Sequence, residues 1–126
     1  MRPDIAFVGA GNVAFRFSLA LQEKGYNISY VYSRTERSRD KLVRALQANG
    51  AGTQAAGDYR TLARAAVVFI AVSDDAIESV VSGMREELAG MDSLPAVVHT
   101  SGATDISVLR PLEEAGCRCG VIYPLM

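Results

Sequence analysis

The sequence predicts one α/β domain: a doubly wound parallel sheet of about six strands with helices on both faces. Three observations predict it. Short continuous apolar runs alternate along the chain with apolar residues at helical spacing. The 126 residues are 49% hydrophobic, and at that length folding removes about two thirds of the unfolded surface from water, enough for one core. No repeat, low-complexity tract or long linker divides the chain, so residues 1–126 read as a single unit.

Charge and composition exclude several classes. Lys+Arg 13 is balanced by Asp+Glu 14, so the basic excess that binds nucleic-acid backbones is missing. The hydrophobic content and small net charge also argue against disorder. The longest wholly apolar run, Ala65 to Val72, is eight residues, against the ~20 that cross a bilayer as a helix. Met1-Arg2-Pro3-Asp4 leads into a short apolar run broken by glycines, which does not read as a signal peptide. Cys117 and Cys119 are the only cysteines. Two thiols so close together make neither a disulfide framework nor a four-ligand zinc site, so they read as small residues flanking a strand start in a reducing cytoplasm.

The elements follow in order. Ile5 to Val8 is the first strand, ending at Gly9-Ala10-Gly11. Val13, Phe17 and Leu21 then mark the stripe of a helix that Gly25 stops. Ile28 to Tyr32, rich in β-branched and aromatic residues, is the second strand. Ser33 or Thr35 caps a second helix whose buried stripe is Leu42, Ala45 and Leu46, closed by Asn49-Gly50. A short third strand lies near Gly52 to Ala55, and Asp58 caps a brief helix through Leu62. Val67 to Val72, apolar throughout, reads as a central strand covered on both faces. The next helix has the clearest stripe: Ile77, Val80, Val81, Met84 and Leu88. Pro95 opens a fifth strand through Val98 or His99, followed by the turn Thr100-Ser101-Gly102. A helix from about Asp105 to Glu114, kinked at Pro111, precedes a sixth strand from Gly120 to Tyr123.

The first turn carries the chemistry. Gly9-Ala10-Gly11-Asn12-Val13-Ala14 is G-x-G-x-x-A between a buried strand and a helix, the Rossmann-type dinucleotide pattern. Gly9 permits the tight turn, Gly11 lets a pyrophosphate approach the backbone, and Ala14 lets helix and strand pack closely. The free amides and positive helix end attract the anion. The end of the second strand chooses the nucleotide. Tyr32-Ser33-Arg34-Thr35-Glu36-Arg37 puts Ser33 and Arg34 where an NAD site carries a carboxylate, so NADP is the expected cofactor. Glu36 follows Thr35 into the helix and points to solvent or pairs with an arginine. FAD and S-adenosylmethionine sites also favour an acidic residue at this strand end.

On Gly9 to Ala14, Tyr32 to Thr35, Ala71 to Ile77 and His99 to Ala103, the sequence resembles the pyrroline-5-carboxylate reductase and deazaflavin-dependent NADP oxidoreductase superfamily. The likeness is nearest to a branch of Rossmann-like proteins with a C-terminal helical domain of unknown function. Ala71-Val72-Ser73-Asp74-Asp75-Ala76-Ile77 and His99-Thr100-Ser101-Gly102-Ala103 look like that branch's loops after the fourth and fifth strands. The resemblance spans essentially the whole chain. It implies that Gly9, Ala10, Gly11, Asn12 and Val13 hold the pyrophosphate, and that Ser33 and Arg34 meet the adenosine 2′-phosphate. Val72 and Ser73 then lie beside the nicotinamide ribose, and Thr100 and Ser101 face the nicotinamide end. In the superfamily a helical domain forms the dimer and completes the substrate pocket. By that likeness the chain is the N-terminal part of a longer homodimeric reductase, interrupted at Tyr123-Pro124-Leu125-Met126.

No catalytic acid or base stands out. His99, the only histidine, sits at a strand end and reads first as a hydrogen-bonded packing residue. Asp74 and Asp75 read as helix capping, and Tyr123 stays an open candidate. One histidine and two closely spaced cysteines close no metal site. The expected function is hydride transfer between NADP(H) and a small-molecule substrate; the alternative is a non-catalytic NADP-binding module that regulates a partner.

Overall fold

A computed structural model describes residues 2–102 and 104–122. The elements run β1 (Ile5–Val8), α1 (Asn12–Glu23), β2 (Ile28–Tyr32), α2 (Glu36–Ala48), β3 (Gln54–Ala55), α3 (Tyr59–Leu62), β4 (Val67–Ile70), α4 (Asp74–Leu88) and β5 (Ala96–His99). A 3-10 turn (Ile106–Leu109), α5 (Arg110–Glu114) and β6 (Cys119–Val121) complete them. The strands form one six-stranded sheet in the order β3-β2-β1-β4-β5-β6. Every neighbouring pair is parallel. This is the expected Rossmann-type arrangement.

The central strands β1 and β4 are apolar because both of their faces are covered. Ile5 and Phe7 of β1 join one core layer with Ile28, Val31, Leu42, Leu46 and Phe69, beneath α1 and α2. Ala6 and Val8 alternate to the other layer, with Ile70, Ile77, Val80, Met84 and Leu112 beneath α3, α4 and α5. Phe17 of α1 packs edge-on against Phe7 and Phe69, with ring centroids 5.9 and 5.1 Å away. This contact seats α1 across the middle of the sheet, and truncating fully buried Phe7 to alanine would cost about 3 to 5 kcal/mol.

Several boundaries differ from the sequence reading. β4 ends at Ile70, and Ala71 and Val72 leave the ladder to line a cleft. β6 starts at Cys119, one residue early, and ends at Val121; Tyr123 to Met126 lie outside the described residues, as does Ala103. The face of α1 is rotated from the expected one: Val13 is 43% exposed, Phe17 and Leu21 are half-buried, and Ala14 and Ser18 are the fully buried positions. Close packing of this helix on β1 selects small side chains, which a hydrophobic stripe does not register. In α2, Val43 joins Leu42 and Leu46 in the core while Ala45 is half-buried. Pro111 kinks no helix interior. It sits in the first turn of α5, where a missing N–H costs little, and the preceding residues take the 3-10 form.

Candidate functional site

The strand order reverses between β1 and β4, and their helices leave over opposite faces, opening a crevice at the carboxyl ends of the strands. A cleft of about 220 Å³ occupies this point. Gly9, Ala10 and Gly11 form its floor; Tyr32, Ser33, Arg34 and Thr35 form one side. Ala71, Val72, Ser73, Ala76 and Val80 form the other.

The two glycines of the floor differ in why they must be glycine. Gly9 has φ +112°, and a Cβ there would lie 2.3 Å from the Ala71 carbonyl oxygen. The Gly9 amide donates to the Tyr32 carbonyl at 2.8 Å and the Ala71 amide donates to the Val8 carbonyl at 2.8 Å, so three strand ends converge on it. Gly9 is therefore required by the fold. Gly11 has φ −82°, a value open to any residue, and a Cβ there would meet nothing within 4 Å. The chain itself makes no use of that gap. The start of α1 is therefore open to a group outside the chain, and a turn of this shape fits a dinucleotide.

The start of α1 suits an anion in a second way. Gly11 is its N-cap and has no side chain to cap the helix, and the first turn holds no acidic residue. The helix thus presents uncompensated amides and its positive end. By contrast, α4 begins with Asp74 and Asp75, and α2 with Glu36.

At the tip of β2, the Thr35 amide donates to the Ser33 hydroxyl at 3.3 Å, which curls the chain and leaves Arg34 exposed on the rim. Among the described residues Arg34 makes no ion pair; the one ion pair joins Arg39 to Asp40. Glu36 and Arg37 are exposed and stand outside the lining. Tyr32 is backed by Tyr59, ring centroids 4.4 Å apart. Gly83 makes room for this ring, since a Cβ would lie 2.7 Å from Tyr59 Cε2. Glu87 accepts the Tyr59 and Arg60 amides at 3.0 and 3.3 Å. Burial, then the neighbouring Tyr32 phenol, raises the Tyr59 pKa well above its ordinary value, so the hydroxyl stays neutral.

The cleft brings together Gly9, Ala10, Gly11, Ser33, Arg34, Val72 and Ser73. Asn12 and Val13 are exposed in the first turn of α1, beyond its lining. Thr100 and Ser101 also lie outside it. The Thr100 amide and hydroxyl donate to the Ile70 carbonyl at 3.2 and 3.4 Å. The Ser101 hydroxyl donates to Asp74 Oδ1, and the Ser101 amide donates to His99 Nδ1 at 3.2 Å. Asp74 is thereby corrected from a capping residue to an anchor for the next loop, and Ser73 is the N-cap.

Sequence reasoning missed Tyr32, Thr35, Ala71, Ala76 and Val80 as lining. Ala76 and Val80 belong to a helix stripe that reads as core, and only the small side chain of Ala76 beside the loop hints otherwise. The thiols supply no ready nucleophile: burial raises both, and Cys119 is pushed up to about 11. Among the described residues no group of His, Cys, Asp and Glu could hold a metal ion. No helix there is long and apolar enough to cross a membrane.

Comparison with known proteins agrees with this geometry. A family described as NADP oxidoreductase, coenzyme F420-dependent, matches over residues 4–91. A Bacteroides fragilis protein assigned as an NADP oxidoreductase superposes with a TM-score of 0.77 at 28% identity, covering 98% of this chain and 44% of its own. Mycobacterium tuberculosis shikimate dehydrogenase (TM-score 0.71, 18% identity) is covered over 94% of this chain and 43% of its own. Synechocystis arogenate dehydrogenase (TM-score 0.69, 17% identity) is covered over 90% and 37%. The last two share the fold alone. The chain spans less than half the length of these solved structures. No curated protein sequence matches it.

Proposed function

This chain belongs to the family of coenzyme F420-dependent NADP oxidoreductases, and on that premise we propose that it is the NADP(H)-binding domain, residues 1–126, of a longer oxidoreductase. The cofactor would carry hydride to or from a small-molecule substrate. The protein's part is to bind, orient and shelter it.

The observation that carries the reading is one cleft with two anion-ready ends. An uncapped helix start without carboxylates lies at one end, and Arg34, free of any ion pair among the described residues, lies at the other. The amides of Gly11, Asn12 and Val13 would hold the pyrophosphate, with Gly9 and Ala10 shaping the turn. Ser33 and Arg34 would grip the adenosine 2′-phosphate, the guanidinium through charge-assisted hydrogen bonds. Val72 and Ser73 would flank the nicotinamide ribose, with Thr100 and Ser101 nearer the nicotinamide end. Substrate groups, the proton donor and the homodimer contacts would come from the remaining length of the full protein.

Titration of the wild type and Arg34→Ala with NADPH and NADH tests this. The variant should lose about 10- to 150-fold in NADPH affinity, the worth of one charge-assisted hydrogen bond, and almost nothing for NADH. Equal losses for both nucleotides would overturn the 2′-phosphate assignment. Tight NADPH binding by the full-length protein with no turnover across a broad panel of acceptors would instead favour a regulatory module.

A further inference from the structure

His99 closes β5, paired in register with Ile70 of β4, and is fully buried. Its Nδ1 accepts the Ser101 amide at 3.2 Å. That bond requires the neutral ring with its proton on Nε2. Yet Nε2 has no hydrogen-bond partner among the described residues. A donor buried without an acceptor carries a desolvation cost that an apolar side chain of similar size would avoid. What a histidine adds here over an apolar side chain of similar size is the acceptor for the Ser101 amide.

The other ring nitrogen starts a chain of contacts. It fixes the Ser101 amide; the Ser101 hydroxyl donates to Asp74 in the first turn of α4, with the Thr104 hydroxyl 3.1 Å from the same oxygen. One residue earlier, Thr100 is bonded to the Ile70 carbonyl. The loop after β5 is thus tied to both ends of the segment between Ile70 and Asp74. Ala71, Val72 and Ser73 in that segment are one wall of the cleft.

We propose that His99 is a positioning residue that holds this wall through Ser101 and Asp74. That the wall serves NADP(H) rests on the function proposed above. The ring nitrogen plays the part that an asparagine oxygen plays in an Asx-turn, accepting the amide two residues on.

The test compares His99→Leu, which removes both ring nitrogens, with His99→Asn, which restores an acceptor. Ser101→Ala breaks the next link without touching the core. Melting temperature, amide hydrogen exchange and NADPH titration are measured on each. In His99→Leu the melting temperature should hold or rise, while exchange of the Ser101 amide and of the first turn of α4 accelerates about tenfold or more as local opening becomes easier. NADPH affinity should fall about five- to tenfold, the scale of one lost hydrogen bond. His99→Asn should return exchange and affinity close to wild type, and Ser101→Ala should mimic the leucine variant at α4. Unchanged exchange in the wall, or a fall in melting temperature that tracks affinity and is not rescued by asparagine, overturns the proposal. If His99→Leu fails to fold, Ser101→Ala decides alone. Should the wild type bind no NADPH, the cofactor reading fails, and exchange still decides the role of His99.

Discussion

The helices α1 and α4 leave neighbouring strands into the same cleft, yet they begin in opposite electrostatic states. At α1, Gly11, Asn12 and Val13 offer backbone amides and no acidic side chain. At α4, Ser73 is followed by Asp74 and Asp75, whose negative charges lie in the first turn against the positive end although no side chain caps it. One helix start carries no acidic charge of its own and the other carries two. On the proposed function that asymmetry would give the cleft a direction, with phosphates over β1 and uncharged ring or sugar groups beside the β4 wall.

The strongest way to break the comparison is to destroy the turn that aims α1. Gly9→Ala forces a side chain into a positive-φ position and against the Ala71 carbonyl. It should cost about 3 kcal/mol of stability, read as a large drop in melting temperature. Gly11→Ala separates ligand from fold. Its Cβ meets nothing in the chain, so stability should stay within about 1 kcal/mol, while NADPH affinity falls about tenfold or more because the gap for the phosphate is filled. If binding survives, the gap serves no anion.

A third helix supplies the control. Asp58 caps α3 by accepting the Thr61 amide at 2.8 Å, and Asp58→Ala should cost about 0.5 to 1 kcal/mol with no effect on NADPH binding. The hydrogen bonds from the Thr61 hydroxyl and amide hold the Asp58 carboxyl below its ordinary value of 3.8. A depressed folded-state value contributes stability above that pH and loses it as pH falls through the folded value. The gap in stability between wild type and Asp58→Ala, followed by denaturant titration, should therefore be constant above about pH 5 and shrink below 3.8. The smallest effect tests the asymmetry directly. Asn12→Asp gives α1 the carboxylate that α4 has, so the free protein should gain about 0.3 to 1 kcal/mol while NADPH affinity falls a few-fold. A variant that binds NADPH as well as wild type would show that α1 does not hold the phosphates.

Much of this was legible from the sequence, for identifiable reasons. β1, β2 and the α4 stripe were readable because their apolar spacing survives into the structure unchanged, and the Asp58 cap because its partner is three residues away. Contacts that depend on distant residues were not. The run Val67 to Val72 reads as one strand, since hydrophobicity does not distinguish a ladder position from a buried wall. Ala14 and Ser18 were hidden as the true inner face of α1 because close approach of a helix to a sheet rewards small size over apolarity. The support that Tyr59 gives Tyr32 depends on an absent side chain at Gly83, far along the chain, and no local pattern announces it. In the site, the glycine turn and Arg34 were readable from motif spacing, whereas the bond between Ser101 and Asp74 joins two loops whose meeting only the sheet order dictates.

The sheet order has a further consequence. Ile5 pairs with Val67, so β1 and β4 are the adjacent strands most widely separated in sequence, and the cleft is built on that pair. Closing such a long loop is entropically late work in folding. No fragment confined to one βαβ half can assemble the floor and both walls, so occupancy of the cleft reports that the whole central sheet has formed. Nucleotide at 100 times its dissociation constant would then add about 2.7 kcal/mol to the global unfolding free energy. That protection should reach the slowest-exchanging amides of both halves together, making the ligand a clasp between them.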